Sequence, residues 1–456
     1  MNMDVPVMKK YFTGLTLLLL SLLAIACGPA TLKPTQSTNA VPTTTVTTQE
    51  TQPAVVGEFL KSDLARDTNP VISQSDMSAL AKGNSEFAFD LYRALMQRQA
   101  GNFFYSPYSL SIALAMAYAG ARGDTATQMA GVLHFNLSPD LLHHAFNNTA
   151  MELAKRADES MTSQDGNGFK LNVVNDAWGQ QGYPFLQQYL DTLATNYGAG
   201  MRVVDFNNGE AVRQEINSYI SDMTEGRIKD LIPPGALDGF TRLVLTNAIY
   251  FNAAWMNKFN ENATRDGTFY LVDGGSVTVP MMKQTYAFPY ISGNGYRAIQ
   301  IPYENNHLSM TIIMPDKGQF EAFQDSLDWQ RISGILSQLK GQEVVLTMPR
   351  FQFSSEFNLS EVLVGMGMDL AFSSSADFSG ITGAEGLSIS DVIHKSFISV
   401  DEKGTEAAAA SAVMIAGAAP LQPLVMTLDH PFVFLIRDNP TGAVLFAGRV
   451  IDPSAS

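Results

Sequence analysis

Hydrophobic and polar positions change rhythm part-way along this chain of 456 residues. In residues 79–99 the apolar positions Leu80, Phe87, Leu91 and Leu95 recur at helical spacing. Ser106 followed by Pro107 has the form of an N-cap with proline at the first helical position. The helix that follows is apolar nearly all round, which predicts a buried core helix. After a turn at Gly123-Asp124, Thr125-Ala-Thr-Gln128 has the form of a capping box opening another helix. A strand is predicted from residue 171 to 178 and helices over 184–197 and 210–229, the second with Ile216, Tyr219, Ile220 and Met223 on one stripe. Residues 243–251 form an almost continuous apolar run, the mark of a strand buried on both faces. Asn247 sits in its middle and must have hydrogen-bond partners, because leaving it unpaired there would cost about 1–3 kcal/mol. Beyond this point strands dominate: 308–315, which alternates, then 343–353, then a terminal hairpin of 431–437 and 443–450 around the turn 438–442, with one more helix over 358–368. Helices first and strands later indicate an α+β domain.

The amino-terminal region follows other rules. Lys9 and Lys10 precede an apolar run ending at Cys27, with the charged start, short apolar middle and small-residue end of an export signal. Ala24-Ile25-Ala26-Cys27-Gly28 resembles a bacterial lipoprotein lipobox, whose cysteine is lipidated. Residues 1–27 are therefore expected to be a lipoprotein-type signal peptide, Cys27 the lipidation site, and the protein lipid-anchored to the outside of a bacterial membrane or envelope. Residues 28–75 are rich in Thr, Pro, Gln, Val and Ser and are expected to be a disordered tether. The folded domain is expected to span 76–456.

Composition narrows the chemistry. A hydrophobic content of 46% suffices for a sizeable core. Net charge is 29 − 44 = −15, which argues against nucleic acid as a partner, since phosphate binding needs clustered Lys and Arg. Six histidines form neither a His-Glu-x-x-His motif nor a Cys/His cluster, so no metal is expected, and His394 and His430 are best read as satisfied structural residues. There is no Gly-x-Ser-x-Gly elbow and no Walker loop. No cofactor and no enzyme activity are expected. Asp401-Glu402 is best read as a solvated acidic face.

The stretch 401–420 is ambiguous in its own right. Its alanines favour a helix. Drawn out as a strand, it would place Thr405, Ala407, Ala409, Ser411, Val413 and Ile415 on one face, small side chains first. Such a strand could enter an existing sheet without the overpacking that costs about 1–3 kcal/mol.

Several segments resemble the serpins, the serine protease inhibitor family, in family order. They are 102–109 (Asn-Phe-Phe-Tyr-Ser-Pro-Tyr-Ser), 120–128, 246–251 (Thr-Asn-Ala-Ile-Tyr-Phe) with Trp255, 279–284, 394–410 and 431–436. The resemblance implies three β-sheets, about nine helices and an exposed reactive-centre loop that mimics a protease substrate. Inhibitory members are suicide substrates: the protease forms an acyl-enzyme with the loop, which then inserts into the central sheet and distorts the protease. The resemblance further implies that Ser106, Ser109, Asn247 and His394 form a cluster where the sheet opens, that Trp255 lies at the top of the opening, and that Arg350 pairs with Glu402. The hinge would comprise Glu402, Gly404, Thr405, Glu406, Ala407, Ala408, Ala409, Ala410 and Ser411. Family spacing from Gly404 puts the reactive bond between Ala418 and Ala419, whereas counting back from Pro431 gives Pro420; Leu421, Ile415 and Met414 are neighbouring alternatives. Small residues at 416–419 suit an elastase-like or subtilisin-like serine protease, and the lack of Arg or Lys between Lys403 and Arg437 disfavours a trypsin-like one. The leading expectation is a monomeric suicide inhibitor. Its alternatives are a non-inhibitory binding module of the same fold and an inhibitor of cysteine proteases.

Overall fold

The computed structural model describes residues 57–161, 170–405 and 423–455. Cys27 with the expected signal peptide, the expected hinge residues Glu406 to Ser411 and the expected reactive bond Ala418–Ala419 lie outside the described residues.

Two sheets organise the described residues. The seven-stranded sheet runs in the order Glu58–Leu60, Met201–Val204, Lys170–Gln180, Leu243–Ala254, Gly404–Thr405, Asp391–Val400 and Phe351–Asn358. The nine-stranded sheet contains the terminal hairpin, Phe432–Asp438 with Val444–Val450, flanked by Leu308–Pro315 and Phe103–Tyr105. The three sheets expected from the resemblance are joined here into two hydrogen-bonded networks. One long strand, Ser276–Gly293, causes this: it pairs successively with Arg265–Tyr270, Lys340–Pro349 and Tyr296–Pro302. Ten α-helical segments occur among the described residues.

Leu243–Ala254 is buried on both faces, as its unbroken apolar run predicts. Leu245, Ile249, Phe251 and Ala253 join the main core, whereas Val244 and Ala248 pack into a second core with Ile216 and Ile220 of the helix Gly209–Met223. The apolar helix Pro107–Tyr118 packs on the first of these faces and is buried along almost its whole length. Ser106 caps it, its hydroxyl accepting from the Ser109 amide at 3.1 Å.

Several local expectations need correction. Thr125 opens no helix: the helix spans Gly123–Val132, and the Thr125 hydroxyl instead accepts from the Asp377 amide at 2.9 Å while Gln128 reaches Asp369 and the Leu370 amide. Tertiary partners outcompete the local capping pattern there. Leu308–Pro315 does not alternate but is buried throughout, because it lies inside the nine-stranded sheet. Met223 stands exposed at the end of its helix.

The described part of the expected tether, from Gly57 to Ser75, belongs to the body. Glu58–Leu60 adds an edge strand antiparallel to Met201–Val204. Ser62 donates to Asp191 at 2.5 Å, the Asp67 amide donates to the Thr195 carbonyl, and Arg66 donates to Asn147 at 2.7 Å. The segment ends at Ser73, which caps the helix Gln74–Met96. Its polar composition suits this edge, where hydrogen bonding attaches the segment and Leu60 and Ile72 pack against the main core. Gly200 is part of the fit, since a Cβ there would lie 2.4 Å from the Leu60 carbonyl oxygen. Gly200→Val is expected to displace this edge strand. Amide exchange at residues 58–60 and 201–203 should then speed up about tenfold or more, as loss of even one net hydrogen bond of ~1–1.5 kcal/mol implies; unchanged exchange would show that the strand tolerates the side chain.

Candidate functional site

The central feature is a fork between two strands. Leu243–Ala254 and Asp391–Val400 pair directly and in parallel, from Val244 with Asp391 to Tyr250 with Phe397. Beyond that point Gly404–Thr405 lies between them, antiparallel to both: Gly404 opposite Ala254, and Thr405 opposite Ala253 on one side and Val400 on the other. Glycine is required at 404, because a Cβ there would sit 2.1 Å from the Ala253 carbonyl oxygen. Thr405 is fully buried, its hydroxyl 2.7 Å from that of Tyr303. Burial drives the Tyr303 phenol well above its ordinary pKa, so it stays protonated.

The tight turn that delivers Gly404 is held carbonyl by carbonyl. The Asp401 carbonyl accepts from the Trp255 indole N–H at 2.9 Å, that of Glu402 from the Phe259 amide at 2.8 Å, and that of Lys403 from the Trp255 amide at 2.9 Å. Asp401 Oδ1 takes the Lys403 and Gly404 amides. Trp255 itself is stacked on Tyr303, ring centroids 4.6 Å apart. Arg350 grips Glu402 Oε1 through Nε at 2.9 Å and a terminal nitrogen at 2.5 Å, and the Thr264 hydroxyl donates to the same oxygen. Burial pushes the Glu402 carboxyl up, but the hydrogen bonds from Arg350 and Thr264 outweigh it and hold the group below its usual range. Glu402 is only 2% exposed, so the solvated acidic face expected of Asp401-Glu402 is not found. The pair is a buried anchor with one partly exposed partner.

Below the fork, Asn247 and His394 face one another across the parallel pair. Asn247 Oδ1 meets His394 Nδ1, and the Asn247 amide nitrogen donates to the Ser109 hydroxyl at 2.5 Å and to Asn175 Oδ1. The Ser109 hydroxyl donates in turn to Asn175 Oδ1 at 3.2 Å. His394 Nε2 accepts from the Ser106 amide at 3.2 Å, and the Ser106 hydroxyl donates to the Leu445 carbonyl at 2.7 Å. These bonds specify one tautomer. Nε2 faces an N–H and must be bare, so the proton sits on Nδ1. Burial lowers the imidazole pKa to about 3, keeping it neutral.

The structure thus gathers Ser106, Ser109, Asn247 and His394 into one network and Trp255, Arg350 and Glu402 into a second around the turn. Sequence reasoning missed Asn175, Thr264 and Tyr303. Asn175 left a trace: it interrupts the otherwise apolar face Leu171, Val173, Ala177 of its strand. Thr264 and Tyr303 have no such signal, since only tertiary packing brings them to the turn. Among the described residues no three metal-ligating side chains come together.

The fold that carries this geometry has counterparts among known proteins. The family description "Serpin (serine protease inhibitor)" matches residues 82–453. The chain belongs to the serpin family. A serpin-like protein of Thermococcus kodakarensis is 42% identical over 388 residues, covering 84% of this chain and 88% of its own. The leukocyte elastase inhibitor of Homo sapiens is 37% identical over 389 residues, covering 83% of this serpin and 100% of its own length. Among solved structures, uncleaved ovalbumin superposes with a TM-score of 0.73 at 26% identity, covering 82% of this chain and 100% of its own. The thermophilic serpin tengpin in its native state also gives 0.73 at 26% identity, covering 86% and 97%.

The buried imidazole sets a pH dependence. Unfolded His394 binds a proton as pH falls through about 6.5, whereas the folded residue resists until about 3. Its contribution is therefore complete above 6.5 and lost as pH falls toward 3, by about 2 kcal/mol at pH 5. His143, held at about 4 mainly by burial, titrates in the same direction. The apparent melting temperature should drop between pH 7 and pH 5, and less steeply in His394→Gln; parallel curves for the two proteins would remove His394 from the account.

Proposed function

We propose that this serpin is a suicide-substrate inhibitor of serine proteases that traps its target by inserting the cleaved loop into the seven-stranded sheet. The observation that carries the reading is the fork, where Gly404 and Thr405 already occupy the first rung of a new strand. Continued in the same register, the strand would replace the direct pairing of Val244–Tyr250 with Asp391–Phe397. Six residues beyond Thr405, Ser411 falls opposite Asn247, six before Ala253, and opposite His394, six before Val400. Its hydroxyl would face the same side as the buried network and could take over hydrogen bonds that Asn247 and His394 now make to one another. Ala407 and Ala409 would pass between Phe251 and Ile398 and between Ile249 and Ser396, where larger side chains would overpack.

The energetics favour this direction. Insertion breaks one parallel ladder of seven residue pairs and forms two antiparallel ladders of similar length. The net gain of roughly one ladder, at ~0.5–1.5 kcal/mol per hydrogen bond, is on the order of 5–10 kcal/mol. Antiparallel pairing is also the slightly stronger kind. The native state is then held by a kinetic barrier.

The target class follows from the loop sequence and from kinship. Alanine and glycine at 416–419 suit a shallow elastase-like or subtilisin-like pocket, with Ala418–Ala419 as the reactive bond. Relatives named leukocyte elastase inhibitor point the same way. An amino-terminal lipid on Cys27 would place the inhibitor on the outer face of a bacterial membrane, where it would meet foreign or released proteases.

Incubation with elastase-like, subtilisin-like and trypsin-like proteases tests the reading. An SDS-stable complex is expected with the first two classes, and mass spectrometry of the released peptide identifies the bond; cleavage without a complex would instead support the binding-module reading. Loop cleavage should also raise the melting temperature markedly, and an unchanged value would exclude insertion. Thr405→Arg is expected to convert the inhibitor into a plain substrate, because the guanidinium would be buried beside Tyr303 without a counter-charge. Undiminished complex formation by that variant would refute the hinge argument.

A further inference from the structure

The helices Pro107–Tyr118 and Pro139–Met161 and the strand Lys170–Gln180 line a cavity of about 260 Å³. Most of its wall is apolar, supplied by Ile112, Met116, Phe146, Leu153, Leu171 and Val173. Four polar side chains interrupt it: Arg66, Tyr108, Asn175 and Tyr197. Two of these are already engaged. Asn175 Oδ1 accepts from Asn247 and Ser109, and the Tyr197 hydroxyl lies 2.6 Å from His143 Nδ1.

The other two have unused capacity. Among the described residues the buried Tyr108 hydroxyl has no hydrogen-bond partner, which is costly for a donor cut off from water. Arg66 donates through Nε to Asn147, but among the described residues its two terminal nitrogens have no acceptor and no carboxylate pairs with it. A guanidinium remains a cation at any physiological pH. Both side chains line the same cavity. The cavity therefore combines a mostly apolar wall with a cation and an unpartnered hydroxyl among its lining side chains.

We propose that this cavity binds a medium-chain aliphatic carboxylate, its tail against the apolar wall and its headgroup on Arg66 and the Tyr108 hydroxyl. A carboxylate offers two acceptor oxygens, which matches a guanidinium edge together with a phenol. The volume lies below the roughly 300–1,000 Å³ of sites for drug-sized ligands, which favours a short or medium chain over a long one. Arg66 comes from the segment that follows the edge strand Glu58–Leu60, so a version of the fold without this attached segment would have the apolar cavity but not its cation.

Isothermal titration of the full chain with octanoate tests the site, and it involves no protease, so its outcome is independent of inhibitory activity. One saturable site is expected, with octanoate bound at least about tenfold more tightly than octan-1-ol, the same tail without the charge. Arg66→Gln should bring octanoate to within about threefold of octan-1-ol, while Lys61→Gln, an exposed cation in the same segment, should change nothing. Absence of saturable binding, equal affinity for acid and alcohol, or undiminished affinity in Arg66→Gln would each overturn the proposal. Should Arg66→Gln lose cooperative unfolding, Tyr108→Phe removes only the unpartnered hydroxyl and is expected to weaken octanoate severalfold. Unchanged affinity in that variant would likewise overturn it.

Discussion

A parallel pair of strands at the centre of a sheet, unzipped at one end and closed at the other, is the constraint on which the rest of this molecule depends. Between Tyr250–Phe397 and Val244–Asp391 the two strands satisfy one another's backbone groups. Past that boundary Phe251 to Ala254 and Ile398 to Val400 have separated, and their backbone groups need another partner. Gly404 and Thr405 provide it in part. Every other feature of the site either keeps the closed half closed or holds the intruding strand at the mouth.

What keeps it closed is polar and fully desolvated. Asn247 and His394 could each have been an aliphatic residue packed between the second core and the helix Pro107–Tyr118. A network that is completely satisfied is specific as well as stable, because any relative slide of the strands leaves buried donors without acceptors. The same network runs into the helix cap: Ser106 donates its amide to His394 and its hydroxyl to Leu445 while accepting from Ser109. The start of the core helix, the closed strand pair and the terminal hairpin are thereby fastened at one point, although they are far apart in the chain.

Much of this was legible in the sequence, for identifiable reasons. The unbroken apolar run around Asn247 required a two-faced burial and a partner for the amide, and both are present. The Ser-Pro cap before an all-apolar helix depends only on local geometry, and it stands where expected. The boundaries that were misjudged are those where tertiary contacts override composition. Residues 57–75 are polar and Pro-containing, yet they attach by backbone pairing to an exposed sheet edge, an interaction that hydropathy does not register. Thr125 and Gln128 fit a local cap but are used by residues some 240 or more positions away, at Asp369, Leu370 and Asp377. Thr264 and Tyr303 were invisible because their role depends on where the Glu402–Lys403 turn comes to rest.

The short strand Gly404–Thr405 carries one further consequence, for the order of events. Joining distant parts of a chain incurs its entropic cost chiefly at the first contact, and each later contact is then a local addition. Here the first contact is already made in the resting molecule, with its turn fixed by three capped carbonyls and the Arg350–Glu402 ion pair. Under the proposed insertion, growth of the new strand would therefore start without a search, from a nucleus built into the fold. Its speed would be governed by how fast the closed strands part ahead of the tip, and its direction would be set before any bond in the loop is cut.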